Sequence, residues 1–193
     1  MRTLPAALFF ACIPLLAGCP ETVGQQCPSN SVPIGQYTLA FSLLHPADEC
    51  KLIKDPDSGT ALDASLGQTD AATQTATLCA GSGDAGAVAL TLAVPGKASR
   101  TSEMRDGGVF AFTGHTDPTG GTVCACALGI DETFGGTLQV PGDAGFALLS
   151  DGGFPLVTGM VGTLSDAVSS PEQANCLCNV PCTLQYGVDG TRF

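Results

Sequence analysis

Short β-rich, largely apolar runs recur along most of this chain, separated by Gly/Asp turn residues and without the stripe of an amphipathic helix. Runs of this kind cover residues 37–44, 75–80, 87–94, 109–114, 122–130, 133–140, 146–150 and 156–164, and 176–187 can hold one more. Residues 45–73 are irregular, and 167–174, short and polar, is the one stretch with a trace of helical spacing. Short strands in that number predict an all-β domain. An antiparallel β-sandwich is the first expectation, with a small soluble β-barrel as the alternative.

The punctuation between runs agrees. Asp84-Ala85-Gly86, Asp106-Gly107-Gly108, Asp143-Ala144-Gly145 and Asp151-Gly152-Gly153 each stand directly before an apolar run. Asp bonds its own backbone and Gly reaches positive φ, so each is turn chemistry at a strand corner. Each aspartate stands without the paired oxygens a calcium cage requires, so none reads as a metal ligand. A barrel that crosses a membrane needs aromatic girdles at both interfaces, and the chain has two Tyr and no Trp.

Of the 193 residues, 7 are Lys or Arg and 18 are Asp or Glu, for a net charge of −11. The few basic residues are scattered, which excludes a phosphate-neutralising face and with it nucleic acid as a partner. A length near 200 residues suits one domain.

The first nineteen residues are an export signal. Arg2 precedes an apolar run over 4–17 that is too short, and too interrupted by Pro5 and Pro14, to span a bilayer. Leu16-Ala17-Gly18-Cys19 closes it and resembles the lipobox of bacterial lipoproteins. The resemblance implies cleavage between Gly18 and Cys19 and lipidation of Cys19 by a thioether-linked diacylglycerol and an amide-linked acyl chain. Several acyl chains hold a protein on a membrane far more firmly than one. Pro20 stands where lipoproteins retained at the inner membrane often carry Asp, which leans toward the outer membrane of a Gram-negative envelope. The competing reading is ordinary signal cleavage, with Cys19 merely a small residue near the cut. The expected organisation is a signal peptide over 1–18, a lipidated flexible tether over 19–35, and one β domain over 36–193.

Beyond the signal remain Cys27, Cys50, Cys79, Cys124, Cys126, Cys176, Cys178 and Cys182. An even set in an exported chain predicts a disulfide framework. A thiolate metal site fits poorly, because C-x-C is not the spacing of a zinc knuckle. If both C-x-C pairs lie on strands, each pair shares a face and cannot bridge within itself. Antiparallel matching of the two segments would then set Cys124 against Cys178 and Cys126 against Cys176. The alternative is a local Cys178–Cys182 loop, with Cys124 and Cys126 reaching back to Cys27, Cys50 or Cys79.

Other chemistry is thin. His45 and His115 are the two histidines, no nucleophile elbow occurs, and the neighbours Asp48-Glu49 and Asp131-Glu132 diverge on a strand. The cation candidate is Asp55, Asp57 and Asp63, but glycine falls at loop position five and Leu66 at position twelve, unlike an EF-hand. The expectation is therefore a non-enzymatic cell-envelope lipoprotein, a structural or interaction module held by its acyl chains, with no cofactor. An extracytoplasmic ligand- or cation-binding domain is the alternative.

Overall fold

A computed structural model describes residues 27–44, 50, 73–83, 87–119, 126–142 and 153–193. Within them lie eight strands: β1 Ser31–Leu43, β2 Thr73–Ser82, β3 Val88–Ala93, β4 Arg100–Met104, β5 Val109–Thr119, β6 Leu128–Gln139, β7 Gly159–Ser169 and β8 Cys182–Arg192. Each pairs antiparallel with the next, and β1 also pairs β8 from Tyr37↔Arg192 to Leu43↔Tyr186. That last ladder closes the sheet, so the antiparallel all-β domain is the barrel and not the two-layer sandwich. Alternation buries one face of every strand in either architecture; closure additionally leaves no unpaired edge.

Inward positions follow the expected period of two. Tyr37, Leu39 and Phe41 of β1, Leu90 and Leu92 of β3, Phe110 and Phe112 of β5, Phe134 and Leu138 of β6, and Met160 and Leu164 of β7 fill the interior. Phe110 lies 4.9 Å from Phe112 and 5.1 Å from Phe134 between ring centroids, the latter pair edge to face. Gly136 and Gly162 face each other across β6 and β7. A Cβ at Gly136 would collide with the Val161 carbonyl and the Phe110 ring, so glycine is what lets the ring and the strands come this close. The buried Tyr37 hydroxyl donates to the Val157 carbonyl at 3.1 Å, and burial pushes the phenol up to about 12 despite nearby Arg192.

The outer wall is polar. Thr91, Thr101, Thr113, Thr133 and Ser165 are successive partners across β3 to β7, a row of hydroxyl side chains around the barrel. Cross-strand threonine pairs stabilise neighbouring strands by a few tenths to ~1 kcal/mol each. An apolar inside and a hydroxyl-rich outside are the inverse of a barrel built to face lipid.

Several boundaries differ from the sequence reading. β1 starts at Ser31, inside the segment read as tether. β6 runs unbroken through Asp131-Glu132 where a break between 122–130 and 133–140 was expected, because Asp131 points out to His115 and Glu132 points in to Arg100. β4, Arg-Thr-Ser-Glu-Met, lacks the apolar alternation that marks the other strands and was not foreseen. β7 extends to Ser169, so 167–174 holds strand and then a 3₁₀ turn at Gln173–Asn175. β8 occupies Cys182–Arg192 where 176–187 was expected. Asp106–Gly108 forms the anticipated corner, with Gly107 and Gly108 at φ of 75° and 78°. Residues 146–150 and the aspartates of the other three Asp-x-Gly corners lie outside the described residues.

Candidate functional site

Strand polarity sorts the connections. Those between β1 and β2, β3 and β4, β5 and β6, and β7 and β8 leave from one end of the barrel, here the loop end. The remaining turns, and both ends of the chain path through the barrel, meet at the other, the entry end.

Below the loop end, the inward row of β4 to β7 changes from apolar to charged. Arg100, the first residue of β4, is 5% exposed and reaches across β5 to Glu132 of β6, which is 4% exposed. Its Nε donates to Glu132 Oε1, its Nη2 to Oε2 at 3.2 Å, and its Nη1 to the Ala98 carbonyl at 2.6 Å. β5 makes room: a Cβ on Gly114 would lie 3.3 Å from Arg100 Nε and 3.5 Å from Glu132 Oε1. Asp166, also buried, is the register partner of Glu132 on β7. Ion pairs buried this deeply need complete hydrogen bonding to offset desolvation, and the two-point Arg–carboxylate fork supplies part of it.

On the outer face of the same level, His115 stands beside Gly114. Its Nδ1 lies 2.6 Å from Asp131 Oδ1, its register partner on β6, and its Nε2 lies 3.4 Å from Asp117 Oδ1. The hydrogen bond to Asp131, and the charges of both carboxylates, hold the imidazole protonated above its usual range. Here β4 and β5 share only Thr101↔Thr113 as a ladder pair, with the Ser102 hydroxyl accepting from Ala111 N–H at 2.8 Å. The β3–β4 turn and the upper half of β5 enclose an open groove of about 560 Å³ along this thin seam. Lys97, Ser99, Arg100, Thr113, His115 and Asp117 line it. Hydroxyls, the Lys97 ammonium and an imidazole in one concave surface, with the Asp117 carboxylate beside them and the Arg100 guanidinium committed to Glu132, can engage a polar or anionic ligand. Among the described residues no group of three His, Cys, Asp or Glu is disposed to hold a metal ion.

The cysteines converge mainly on the loop end. Cys126–Cys176 forms as the antiparallel matching anticipated, with a Cα separation of 5.2 Å. Its setting differs, because Cys126 precedes β6 and Cys176 follows β7, so the bridge joins two loops and not two strands. Cys182 bonds Cys50, tying the β1–β2 connection to β8, so the local Cys178–Cys182 loop does not form. Cys178 is also disulfide-bonded. At the entry end Cys27–Cys79 clamps the residues before β1 onto the outside of β2. Gly18, Cys19, His45, Asp55, Asp57, Asp63 and Cys124 lie outside the described residues.

Sequence reasoning missed Arg100 and its pocket. The readable signal was the alternation around Asp131-Glu132, which puts one acid inside the barrel and so calls for an inward cation. No protein-family model, curated protein or solved structure matches this chain.

Proposed function

We propose that the chain is a cell-envelope lipoprotein, held through Cys19 on the outer membrane of a Gram-negative bacterium, whose barrel is a rigid module presenting its loop end to a partner. One observation carries this reading: the longest connection, between β1 and β2, and two of the three described bridges, Cys50–Cys182 and Cys126–Cys176, lie at the end opposite the entry of the chain. Residues that build binding surfaces sit on connections fixed by a rigid scaffold, and stapled connections suit that role. Disulfides at this density also suit an oxidising compartment outside the cytoplasm. The reading assigns no catalytic step.

Cross-linked envelopes bearing the full chain test it. Lys97→Glu with His115→Ala should lose the captured partner, whereas Thr75→Glu on the outer wall of β2 should keep it. Equal capture by both variants would remove the loop-end reading. Cys19→Ser should leave a full-length precursor that takes up no fatty acid, and normal labelling and processing of that variant would remove the anchor. The groove supports a second reading, an extracytoplasmic domain that binds a small polar or anionic ligand. In that case Lys97→Glu should abolish a ligand-induced rise in melting temperature.

A further inference from the structure

At the entry end the barrel exposes large apolar side chains on its rim. Val32 near the start of β1 is 58% exposed, Leu156 just before β7 is 56%, and Phe193 just after β8 is 68%. These belong to consecutive strands around the closure. Arg192 N–H donates to the Thr158 carbonyl at 3.0 Å, and Phe193 N–H to the Gln36 carbonyl at 3.2 Å, so the start of β7, the end of β8 and β1 run side by side, with Val32 four residues further out along β1. Val109, at the start of β5, continues the rim. Arg192 adjoins Phe193, and Arg105, bonded to Val109 through its backbone, adjoins the β5 side; exposed Asp106 is the acid next to it. Apolar tips with guanidinium groups beside them match the boundary between acyl chains and phosphate headgroups.

The chain itself says what lies against this rim. Cys27 is clamped to Cys79 at the entry end, and Cys19 is eight residues before it. Eight residues reach less than about 30 Å even fully extended. An acyl-bearing Cys19 would keep this rim within that distance of the bilayer, where a modest apolar surface acts at high effective concentration. We propose that Val32, Leu156 and Phe193 rest in the headgroup region of the membrane, so that the barrel stands on its entry end with the loop end directed away. This inference rests on the lipid-anchor reading above.

The chain contains no tryptophan, so one introduced indole reports on one place. Full-length lipidated protein carrying Phe193→Trp is reconstituted in phosphatidylethanolamine–phosphatidylglycerol vesicles with brominated acyl chains. Its emission should shift to shorter wavelength and be quenched several-fold more than that of Leu177→Trp, exposed at the opposite end. Val32→Trp should behave like Phe193→Trp, and adding Leu156→Asp should weaken the quenching of either. Absence of acyl chains on Cys19 removes the anchor and this inference together. Acylated protein with a water-like indole, or with equal quenching at both ends, removes this inference and leaves the anchor standing. A shifted but unquenched indole puts protein, a second copy included, against the rim and likewise overturns it.

Discussion

The two ends of this barrel are held by different physics. At the entry end, short corners such as Asp106–Gly108 join strands above a core of Phe110, Phe134, Met160 and Tyr37. The described end of the longer 140–158 connection there is held by burial and hydrogen bonds: Val157 is fully buried, its carbonyl accepts from Tyr37 and Arg192, and Phe154 packs against the core. At the loop end, β1 ends at Leu43 and β2 begins only at Thr73, and the row beneath includes Arg100, Glu132 and Asp166. Closing long connections costs entropy, and a charged row contributes little net burial energy. Two of the three described bridges sit where noncovalent packing is thinnest, and the third, Cys27–Cys79, clamps the chain entry. The lesson is compensation: cross-links free the loop end to carry polar residues that a packed core would not tolerate.

Breaking bridges should give the largest effect and should separate the ends. Cys50–Cys182 spans 132 residues and Cys27–Cys79 spans 52, worth about 4–5 kcal/mol each in the chain-entropy model. Cys50→Ala with Cys182→Ala should therefore lower the denaturation midpoint strongly and speed amide exchange in the start of β8 and the end of β1. Cys27→Ala with Cys79→Ala should speed exchange mainly in the first residues of β1. Uniform exchange increases in both variants would erase the contrast between the ends. Non-reducing peptide mapping sharpens it further: Cys178 should be found joined to Cys124, completing the second C-x-C match.

The buried ion pair gives the next effect. Glu132→Ala leaves Arg100 without its carboxylate in a buried site, which typically costs 3–5 kcal/mol (about that much in chemical denaturation). Arg100→Met combined with Glu132→Leu should recover most of the loss, because an apolar pair of similar volume avoids the desolvation cost. If the double variant is no better than the single one, the pair is a positive contributor and the row under the loop end is not the weak layer argued for here.

What the sequence made legible follows the same division. Apolar runs marked β1, β2, β3, β5 and most of β6 and β7 because their inward positions are apolar. They failed at β4, whose inward Arg100 is satisfied by Glu132, a partner 32 residues away. Closure was not legible as such, since Tyr37↔Arg192 joins opposite ends of the chain and sandwich strands alternate in the same way. Cys126–Cys176 follows from the antiparallel matching only in its pairing, because Cys126 before β6 and Cys176 after β7 meet on two loops of one end and not in a strand register. The buried pair stayed hidden because Gly114 matters by the room it leaves for Arg100 and Glu132, and no periodicity records that.

A smaller change probes the entry end, where burial around Tyr37 holds the strands above the Cys27–Cys79 clamp. Tyr37→Phe keeps the ring but removes one of two donors to the Val157 carbonyl, 120 residues away in sequence, the other being Arg192 Nη1 at 3.2 Å. Loss of one buried hydrogen bond should cost about 1 kcal/mol, with no change in the exchange of the β7–β8 connection. A larger loss that spreads to the loop end would mean the two ends unfold as one unit.

The smallest expected effect belongs to His115, and its value lies in sign and location. The imidazole is pulled above its unfolded pKa first by the hydrogen bond to Asp131 and further by the charges of Asp131 and Asp117. A raised folded pKa means that protonation stabilises the fold: the contribution is complete below the unfolded pKa, near 6.5, and fades as pH rises through the folded value. The melting temperature of the native chain relative to His115→Gln should therefore be most favourable in mild acid, with the difference vanishing in mild alkali. Because His115 and Asp131 are largely exposed, added salt should shrink the difference. Asp131→Asn should remove most of the dependence and Asp117→Asn less, since the shorter contact is to Asp131. A His115 ring titration by NMR with its midpoint at or below that of an unfolded peptide would break the account. So would a pH dependence of stability that survives Asp131→Asn unchanged, because the clasp across β5 and β6 would then have no part in holding the groove at the loop end.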